Sequence, residues 1–470
     1  MTRGFVRRSL AALEDPSLRR AVRFATDRLR SNKARAQAEF GDWEALRRRG
    51  EEIRSRTMRN LGRYLDEFAE KVRRAGGHVH FAADAEAAAS IVRGLARRYG
   101  VKLAVKSKSM LSEEIRLNEA LAADGVEAVE TDLGEYIVQM AGETPSHIIV
   151  PALHKDRRSI AALFSRIAGE PVPDDTPSLT AFARGRLREL FLQAGMGITG
   201  CNFGVAETGS VVIVTNEGNG RMVTTLPRVQ VTLMGMERVV PTLEDLDALL
   251  ELLPRAATGQ ATTSYVNIMT GPRRPGEGDG PEALHVVIVD NGRSGLLGGK
   301  YEAALHCIRC GACMNVCPVY RQVGGHAYGW IVGGPIGSVI TPLFEGMEGF
   351  GDLPQASSLC GACYEACPVR IPLHDLLIQL RADDAPKGPS LKGESAAFRL
   401  WRWLMASPRR YRLALRLGRL AQAPVKRGGR LRWGPPPLNR WLAGRELPAL
   451  PRRTFREMWP ELEKEAPADD

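Results

Sequence analysis

At 470 residues the chain exceeds what one hydrophobic core supports, so about two to four domains are expected. Its composition, 44% hydrophobic and 25% charged, is that of a globular protein, and no apolar run approaches the ~18–20 residues of a membrane-spanning helix. The net charge of +11 is lopsided: between Arg399 and Arg456 sixteen Lys and Arg stand against one acid, Glu446, a local +15 that leaves the rest at −4.

The first residues, Met1 to Arg8, show neither the apolar core nor the small-residue cleavage site of a secretory leader. A cytoplasmic location is expected. Residues 1–75 read as Arg-rich helices with Trp43, Leu46, Ile53, Met58, Leu61, Tyr64, Leu65 and Phe68 on the apolar face, a packing or docking segment without chemistry. From 76 to 299, strand-like runs at His78–Phe81, Lys102–Val105, Val126–Glu130, His147–Pro151, Ser210–Thr215, Arg228–Met234 and His285–Asp290 alternate with helical stretches at Ala85–Arg98, Ser112–Ala123, Arg157–Ile167 and Leu179–Gln193. Such alternation predicts an α/β domain with a mostly parallel sheet covered on both faces. The Gly/Pro-rich Thr270–Pro281 reads as a surface loop.

Within this domain Lys106, Ser107, Lys108 and Ser109 follow a strand and open a helix, so backbone N–H groups, hydroxyls and ammonium groups can converge on a phosphate or carboxylate. A capped helix with solvated lysines explains the same string equally well. Glu207 and Glu217 sit among small polar residues around a strand and are weak candidates for acid/base work; each can equally cap a turn. Gly195-x-Gly197-x-x-Gly200 matches a dinucleotide fingerprint as a string, but a helix precedes it and a strand-like run follows, the reverse of what the fingerprint needs. A glycine-rich helix end and turn is the better reading, and no NAD or flavin motif is left.

Residues 300–385 carry the chemistry. Seven of the eight cysteines lie there as Cys307-x2-Cys310-x2-Cys313-x3-Cys317-Pro318 and Cys360-x2-Cys363-x3-Cys367-Pro368. Three closely spaced thiolates wrap one [4Fe–4S] cluster, and the fourth cysteine of each run, followed by Pro, ligates the other. A structural zinc site wants two Cys pairs or a Cys/His mix, which this spacing fits poorly. The crossed rule gives one cluster Cys307, Cys310, Cys313 and Cys367, and a second Cys317, Cys360 and Cys363. Register with the first run puts the missing ligand at Ser357, leaving four options: a serine alkoxide, a three-iron cluster, an open iron, or Cys201 donated by the α/β domain. For Cys201 a buried free thiol is the plainer account. His306, Arg309, Arg321, His326 and His374 lie near enough in sequence to tune a potential, although each also suits a solvated or capping role. The gap at Gly324–Ser358 suggests a mainly helical ferredoxin-type domain.

Residues 386–470 form a basic extension in which Trp401, Trp403, Tyr411, Trp433, Trp441 and Trp459 interleave with arginines around Pro435–Pro437. Docking on an acidic partner ranks first, peripheral contact with an anionic inner membrane face second, and nucleic acid a distant third, since no nucleic-acid fold signature accompanies the charge.

Several strings together resemble the lactate utilisation protein B family: Lys106–Met110, Glu130–Tyr136, Ile198–Phe203, Thr215–Gly220 and Ser357–Cys363, covering about residues 60–380. The resemblance implies an α/β domain related to the CoA-transferase and ribose-isomerase type, a helical ferredoxin domain with two [4Fe–4S] clusters, and a basic C-terminal extension. It implies work with two companion subunits, one similar to cysteine-rich oxidoreductases and one sharing the α/β domain, in oxidising L-lactate to pyruvate. A serine in place of the eighth ferredoxin cysteine looks typical of that family. The leading expectation is an electron-transfer subunit relaying electrons toward a membrane acceptor. The alternatives are an α/β domain that itself binds a carboxylate or CoA-like anion and catalyses, and a redox-sensing regulatory module.

Overall fold

The computed structural model describes residues 4–384, 394–436, 439, 442 and 445–465. The chain divides into two compact units, Met1–Pro386 and Lys387–Asp470.

Four helices open the first unit: α1 (Gly4–Glu14), α2 (Pro16–Phe40), α3 (Trp43–Arg59) and α4 (Leu61–Arg74). Asp15 accepts the Ser17 and Leu18 N–H groups and Asp42 the Ala45 N–H, so an Asp cap starts each of the two long helices. The apolar face expected there is buried from Trp43 to Phe68, with Tyr64 half-buried. Each large side chain so removed from water contributes about 1.5–3 kcal/mol.

Ten strands follow: β1 (His78–Ala82), β2 (Leu103–Lys106), β3 (Glu127–Glu130), β4 (Met196–Gly200), β5 (Phe203–Val205), β6 (Ser210–Thr215), β7 (Val229–Gly235), β8 (Val239–Val240), β9 (Tyr265–Met269) and β10 (Ala283–Val289). Six form one sheet in the order β1-β10-β7-β4-β2-β3, every neighbouring pair parallel. Every residue of β7 is buried, because helices cover both faces. Ala88, Val92, Leu117 and Leu121 pack on one face, and Tyr136, Phe164, Leu187 and Phe191 on the other. The remaining strands make a second sheet, β8-β5-β6-β9, in which β6 runs antiparallel to both neighbours.

Three sequence expectations for this region change. Gly195–Gly200 is no turn; it holds β4, paired between β2 and β7. Gly197 reads as a breaker but is required there, since a Cβ would run into the Val223 carbonyl. His147–Pro151 is not a strand, because the His147 ring takes the N–H groups of Ile149 and Val150 that a ladder would use. The helix expected over Ser112–Ala123 is two, Met110–Glu114 and Leu117–Ala123, separated by Arg116 at φ +49°.

After β10 the chain makes a short 3-10 turn (Glu302–His306) and helices at Ala312–Val316, Tyr320–Val323, Gly334–Phe344, Ala362–Ala366 and Leu373–Asp384. These share one core with α3, α4 and the second sheet, in which Cys310, Met314, Tyr320 and Leu377 join Ile53, Phe68, Val205 and Leu252.

In the second unit, helices span Glu394–Met405, Pro408–Gln422 and Phe455–Glu465, and a small antiparallel ribbon joins Lys426–Arg427, Arg430–Leu431 and Leu447–Pro448. Phe398, Trp401, Trp403, Leu413, Leu417, Leu420, Trp433 and Trp459 are exposed there, and the Arg410 guanidinium lies 4.4 Å from the Trp403 ring centre. Trp441, Pro437, Arg440 and the 385/386 boundary lie outside the described residues. Among the described residues no helix is long and apolar enough to cross a membrane.

Candidate functional site

The two cysteine runs repeat one backbone design. Gly311 and Gly361, at φ +72° and +81°, begin the short helices that carry Cys313 and Cys363. Two residues before each glycine, Arg309 and Leu359 are left-handed, at φ +59° and +55°. The Arg309 N–H donates to Cys307 Sγ at 3.4 Å, and the Leu359 N–H donates to Ser357 Oγ at 3.1 Å. Ser357 therefore stands where the repeat has Cys307, with the same backbone donor on its oxygen. Behind the second run the Ile371 N–H donates to Cys367 Sγ at 3.4 Å, and Val319 and Tyr320 do the same for Cys317.

Electrostatic proximity sorts the thiols. Beyond burial, which is the largest cause for every one of them, Cys310 is raised by Cys367 and Cys307, Cys313 by Cys307 and Cys310, and Cys367 by Cys307. Cys317 is raised by Cys360, and Cys363 by Cys317 and Cys360. The Cys313–Cys363 interaction links the groups. Burial pushes Cys310 and Cys363 up to about 12 and Cys367 up to about 11, whereas exposed Cys360 is lowered, chiefly by a hydrogen bond from Ser358. None of the eight cysteines is paired in a disulfide. Among the described residues no three His, Cys, Asp or Glu side chains converge on a single-ion site; the thiols spread over two groups, as ligands of a cage do. Thiols that burial keeps protonated suit ligands that release protons as iron binds.

The N-terminal helices, to which the sequence reading gave no chemistry, brace this region with cations. Lys33 donates to the Ala366 carbonyl at 2.5 Å, and Arg47 to those of Cys367 and Tyr364 at 2.9 Å each. Arg54, 1% exposed, donates to Leu305 and Val239 at 3.1 Å and to the Glu237 carbonyl. Arg47, Gly50 and Arg54 fall on the helix face of Leu46 and Ile53, so a charge within an apolar stripe was the readable signal. Of the histidines and arginines named from sequence, Arg321, His326 and His374 are otherwise engaged. His306 is pushed down to about 4 by burial, so it is neutral. Arg321 pairs with Asp27, His326 bonds the Thr144 carbonyl at 2.7 Å, and His374 lies 3.6 Å from Asp375.

At the carboxyl ends of β2, β3, β4 and β7, where parallel α/β proteins bind ligands, lies a cavity of about 470 Å³. Ser107, Lys108, Ser109, Glu217 and Cys201 line it, and Ile308 and Arg309 of the cysteine loop close it. Lys106 is absent from its wall, which corrects its place in the anion site. Its ammonium is wholly buried and held by Glu130 and Asn118 at 2.6 Å each, so it has a structural task. Glu207 lies outside this cavity and takes the capping role that was its alternative, accepting the Leu243 N–H at 3.0 Å. Glu217 remains, accepting the Leu133 N–H at 3.2 Å, and burial with Asp132 nearby pushes it up to about 7. Glu135 is pushed up to about 8 by burial, and burial lowers Lys108. Cys201 is raised to about 12 by burial, against hydrogen bonds from the Val212 and Phe203 N–H groups and the charge of Arg238.

One wall joins cavity to cysteine loop. Arg293 forks onto Glu114 at 2.8 and 2.9 Å and reaches Glu237 at 2.8 Å; Glu237, held down to about 2 with Arg293 as its strongest partner against burial, meets Arg238 at 3.4 Å. Arg238 donates to the Cys307 carbonyl at 3.0 Å. Sequence reading missed this chain, since its members are far apart in sequence and match no motif.

Three family models match: the LUD domain over residues 65–289, a 4Fe-4S dicluster domain over 303–371, and the C-terminal region of lactate utilisation protein B over 387–464. Curated relatives called lactate utilization protein B include those of Bacillus licheniformis, 47% identical over 100% of this chain and 98% of its own, and Shouchella clausii, 48% identical over 99% and 98%. That of Bacillus velezensis is 46% identical over 99% and 98%. A crystal structure of a DUF162 family protein from Deinococcus radiodurans overlaps 49% of this chain and 98% of its own at 13% identity, with a TM-score of 0.26 that carries no argument. With such identity along its full length, the chain belongs to the lactate utilisation protein B family.

Proposed function

We propose that this chain is the iron–sulfur electron-transfer subunit of a multi-protein system that oxidises L-lactate to pyruvate. The observation that carries the reading is the repeated thiol-bearing backbone, with its sulfurs in two groups and N–H donors aimed at them. Cys307, Cys310, Cys313 and Cys367 would hold one [4Fe–4S] cluster; Cys317, Cys360 and Cys363 would hold the other, with Ser357 Oγ in fourth place. Bound there, such clusters supply one-electron transfer. Lys33, Arg47 and Arg238 fix the carbonyls of the ligand loops and set positive charge beside them. The parallel sheet fits the CoA-transferase and ribose-isomerase type that the family resemblance implies, and the lactate-utilisation names of the relatives support the substrate. Two companion subunits, one cysteine-rich and one sharing the α/β domain, complete the system, and the exposed Arg and Trp side chains of the second unit suit a partner or an anionic membrane surface.

Anaerobic purification should yield about eight iron and eight sulfide per chain, or about seven iron if the second centre is a three-iron cluster. L-Lactate should bleach the broad visible absorbance only when both companions are present. Absence of bleaching with companions would sink the proposal, and bleaching of the isolated chain would move the dehydrogenation into it.

A further inference from the structure

In the second unit the helix Pro408–Gln422 has two unlike sides. Its inner side packs within that unit. Gln422 is buried, donating to the Leu450 carbonyl at 3.0 Å and accepting the Leu450 N–H at 2.8 Å, and a Cβ on Gly418 would press on the Leu450 side chain. Its outer side has no such cover. Leu413, Leu417 and Leu420, at the i, i+4, i+7 spacing that lines up one helix face, are 57%, 57% and 72% exposed. Arg409, Arg412 and Arg416, spaced likewise and also exposed, form the adjoining stripe. On the other flank of the leucines lies Arg410, whose guanidinium is 4.4 Å from the ring centre of Trp403 in the preceding helix. Trp403 is itself 54% exposed. A row of apolar side chains left in water and rimmed by charge marks an interaction surface.

The charges decide what covers it. Arg419 pairs with Glu457 at 3.1 Å, and Glu446, the one acid among sixteen cations from 399 to 456, is taken by Arg430 and Arg432. Among the described residues Arg409, Arg410, Arg412 and Arg416 form no ion pair, so the outer face carries positive charge that its own unit does not answer. Leucines flanked on both sides by arginines need a cover that is apolar in the middle and anionic at the rim, along the whole helix. An acidic protein would have to match that pattern residue by residue. The surface of an anionic bilayer offers it everywhere, with phosphates at the depth of the guanidinium groups and acyl chains beneath the leucines. Long arginine stems let the charge stay with the headgroups, and tryptophan favours the same interfacial depth. No helix among the described residues can cross a membrane, so the helix would lie along one face.

We infer that the helix Pro408–Gln422, with Trp403 beside it, lies in the surface of an anionic phospholipid bilayer, leucines among the acyl chains and arginines on the phosphates. This goes beyond the electron-transfer reading, which leaves the surface to a partner or a membrane, and binding needs no electron to move.

The test is flotation of the cluster-loaded full chain, without companions, on vesicles of phosphatidylcholine alone and of phosphatidylcholine with phosphatidylglycerol. The mixed vesicles should carry the chain at low salt and hold it less tightly at high salt, and the neutral ones should leave it behind. Arg409→Gln with Arg416→Gln should weaken binding by about twentyfold or more, and Leu413→Gln with Leu417→Gln at least as much. These four side chains are exposed, so iron content and thermal midpoint should hold in both double variants, which separates a lost surface from a lost fold. Arg158→Gln, an exposed arginine of the α/β domain, should change nothing. Brominated acyl chains should quench the tryptophan emission of the wild-type chain, and less that of Trp403→Phe. Failure to float with the mixed vesicles, equal flotation on the neutral ones, or flotation that the leucine variant does not weaken would overturn the inference. So would flotation without quenching, since charge would then be the whole attraction and an acidic protein would serve as well. A chain that floats and is quenched but shows no lactate bleaching with companions would remove the proposed function and leave the membrane assignment standing.

Discussion

In the first cysteine run Cys310, Cys313 and Cys317 are buried, Arg238 holds the Cys307 carbonyl, and the Arg309 N–H points at sulfur. In the second, Cys360 is exposed, Ser357 takes the position of Cys307, and the corresponding N–H of Leu359 points at a hydroxyl. The backbones agree down to the left-handed residue before each cysteine and the left-handed glycine after it, so the difference lies in side chains and surroundings. Local sequence sets the ligand loop; the rest of the molecule decides how sheltered each half is. The first half faces the α/β domain and its cavity, and the second has a thiol, Cys360, at the surface, where a partner or oxygen can reach it.

The largest test of that contrast is Cys313→Ala. This thiol is buried beside Cys307 and Cys310 in the main core, so its loss should remove about half of the iron and lower the thermal midpoint. Iron retained in full would break the grouping of the thiols.

The sheltered side should also show in a pH profile. Glu135, buried near Lys108, has its carboxyl raised to about 8 by burial, against an ordinary 4.5. The folded chain therefore holds a proton that the unfolded chain has released, and stability present at pH 4.5 is lost as pH rises toward 8, by a few kcal/mol. Glu135→Gln should flatten that slope in chemical melts between pH 5 and 8 (about the range the shift spans). An unchanged slope would show that Glu135 is ionised in the folded chain.

Arg47→Met comes next. It strips hydrogen bonds from the Cys367 and Tyr364 carbonyls and removes a charge from the buried side, costing about 2 kcal/mol. The potential of the first centre should fall by about 60 mV, a tenfold change for one electron, while that of the second should move less. Equal shifts would contradict the asymmetry.

How much of this could be read from sequence follows the same division. The cysteine spacing, the Ser357 register and most parallel strands were legible because each is local: a repeat, a glycine at a turn, an apolar run between helices. Lys106 was misplaced in the anion site, and Glu207 was left between acid/base work and capping, because a strand end or a turn gives no sign of where a side chain points; Glu130 and Asn118 claim the first and a helix N-terminus the second. β4 was hidden by glycines that answer to the Val223 carbonyl and to Ser109, contacts from distant segments. The cations Lys33, Arg47 and Arg54 lie some 250 to 333 residues from the Leu305, Ala366 and Cys367 carbonyls they serve, beyond any local pattern.

Ser357→Cys tests the exposed half with a smaller effect. Since the Leu359 N–H already addresses that position as the Arg309 N–H addresses Cys307, a thiol there should complete the second centre. The visible absorbance should then outlast that of the wild-type chain in air, with iron at its full complement. A variant that bleaches as fast as the parent, with unchanged iron, would mean that position 357 does not face the metal.

The smallest expected effect is that of Cys201→Ala, and its smallness is informative. Cys201 is the one cysteine outside both runs, and an eighth thiolate would be the simplest remedy for a second centre with three. Its surroundings argue otherwise. Burial raises the thiol to about 12, its charged neighbours are Arg238 and Glu237, and it lines the cavity on the side of Ile308 and Arg309, which belong to the first run. Beyond burial, Cys360 raises Cys317, and Cys317 and Cys360 raise Cys363, while Cys360 itself is lowered, chiefly by a hydrogen bond from Ser358. The Cys201→Ala chain should therefore keep its iron, sulfide and electron-paramagnetic spectrum. Loss of a quarter or more of the iron would return Cys201 to the ligand set and undo the contrast between a sheltered first centre and a serine-completed second one.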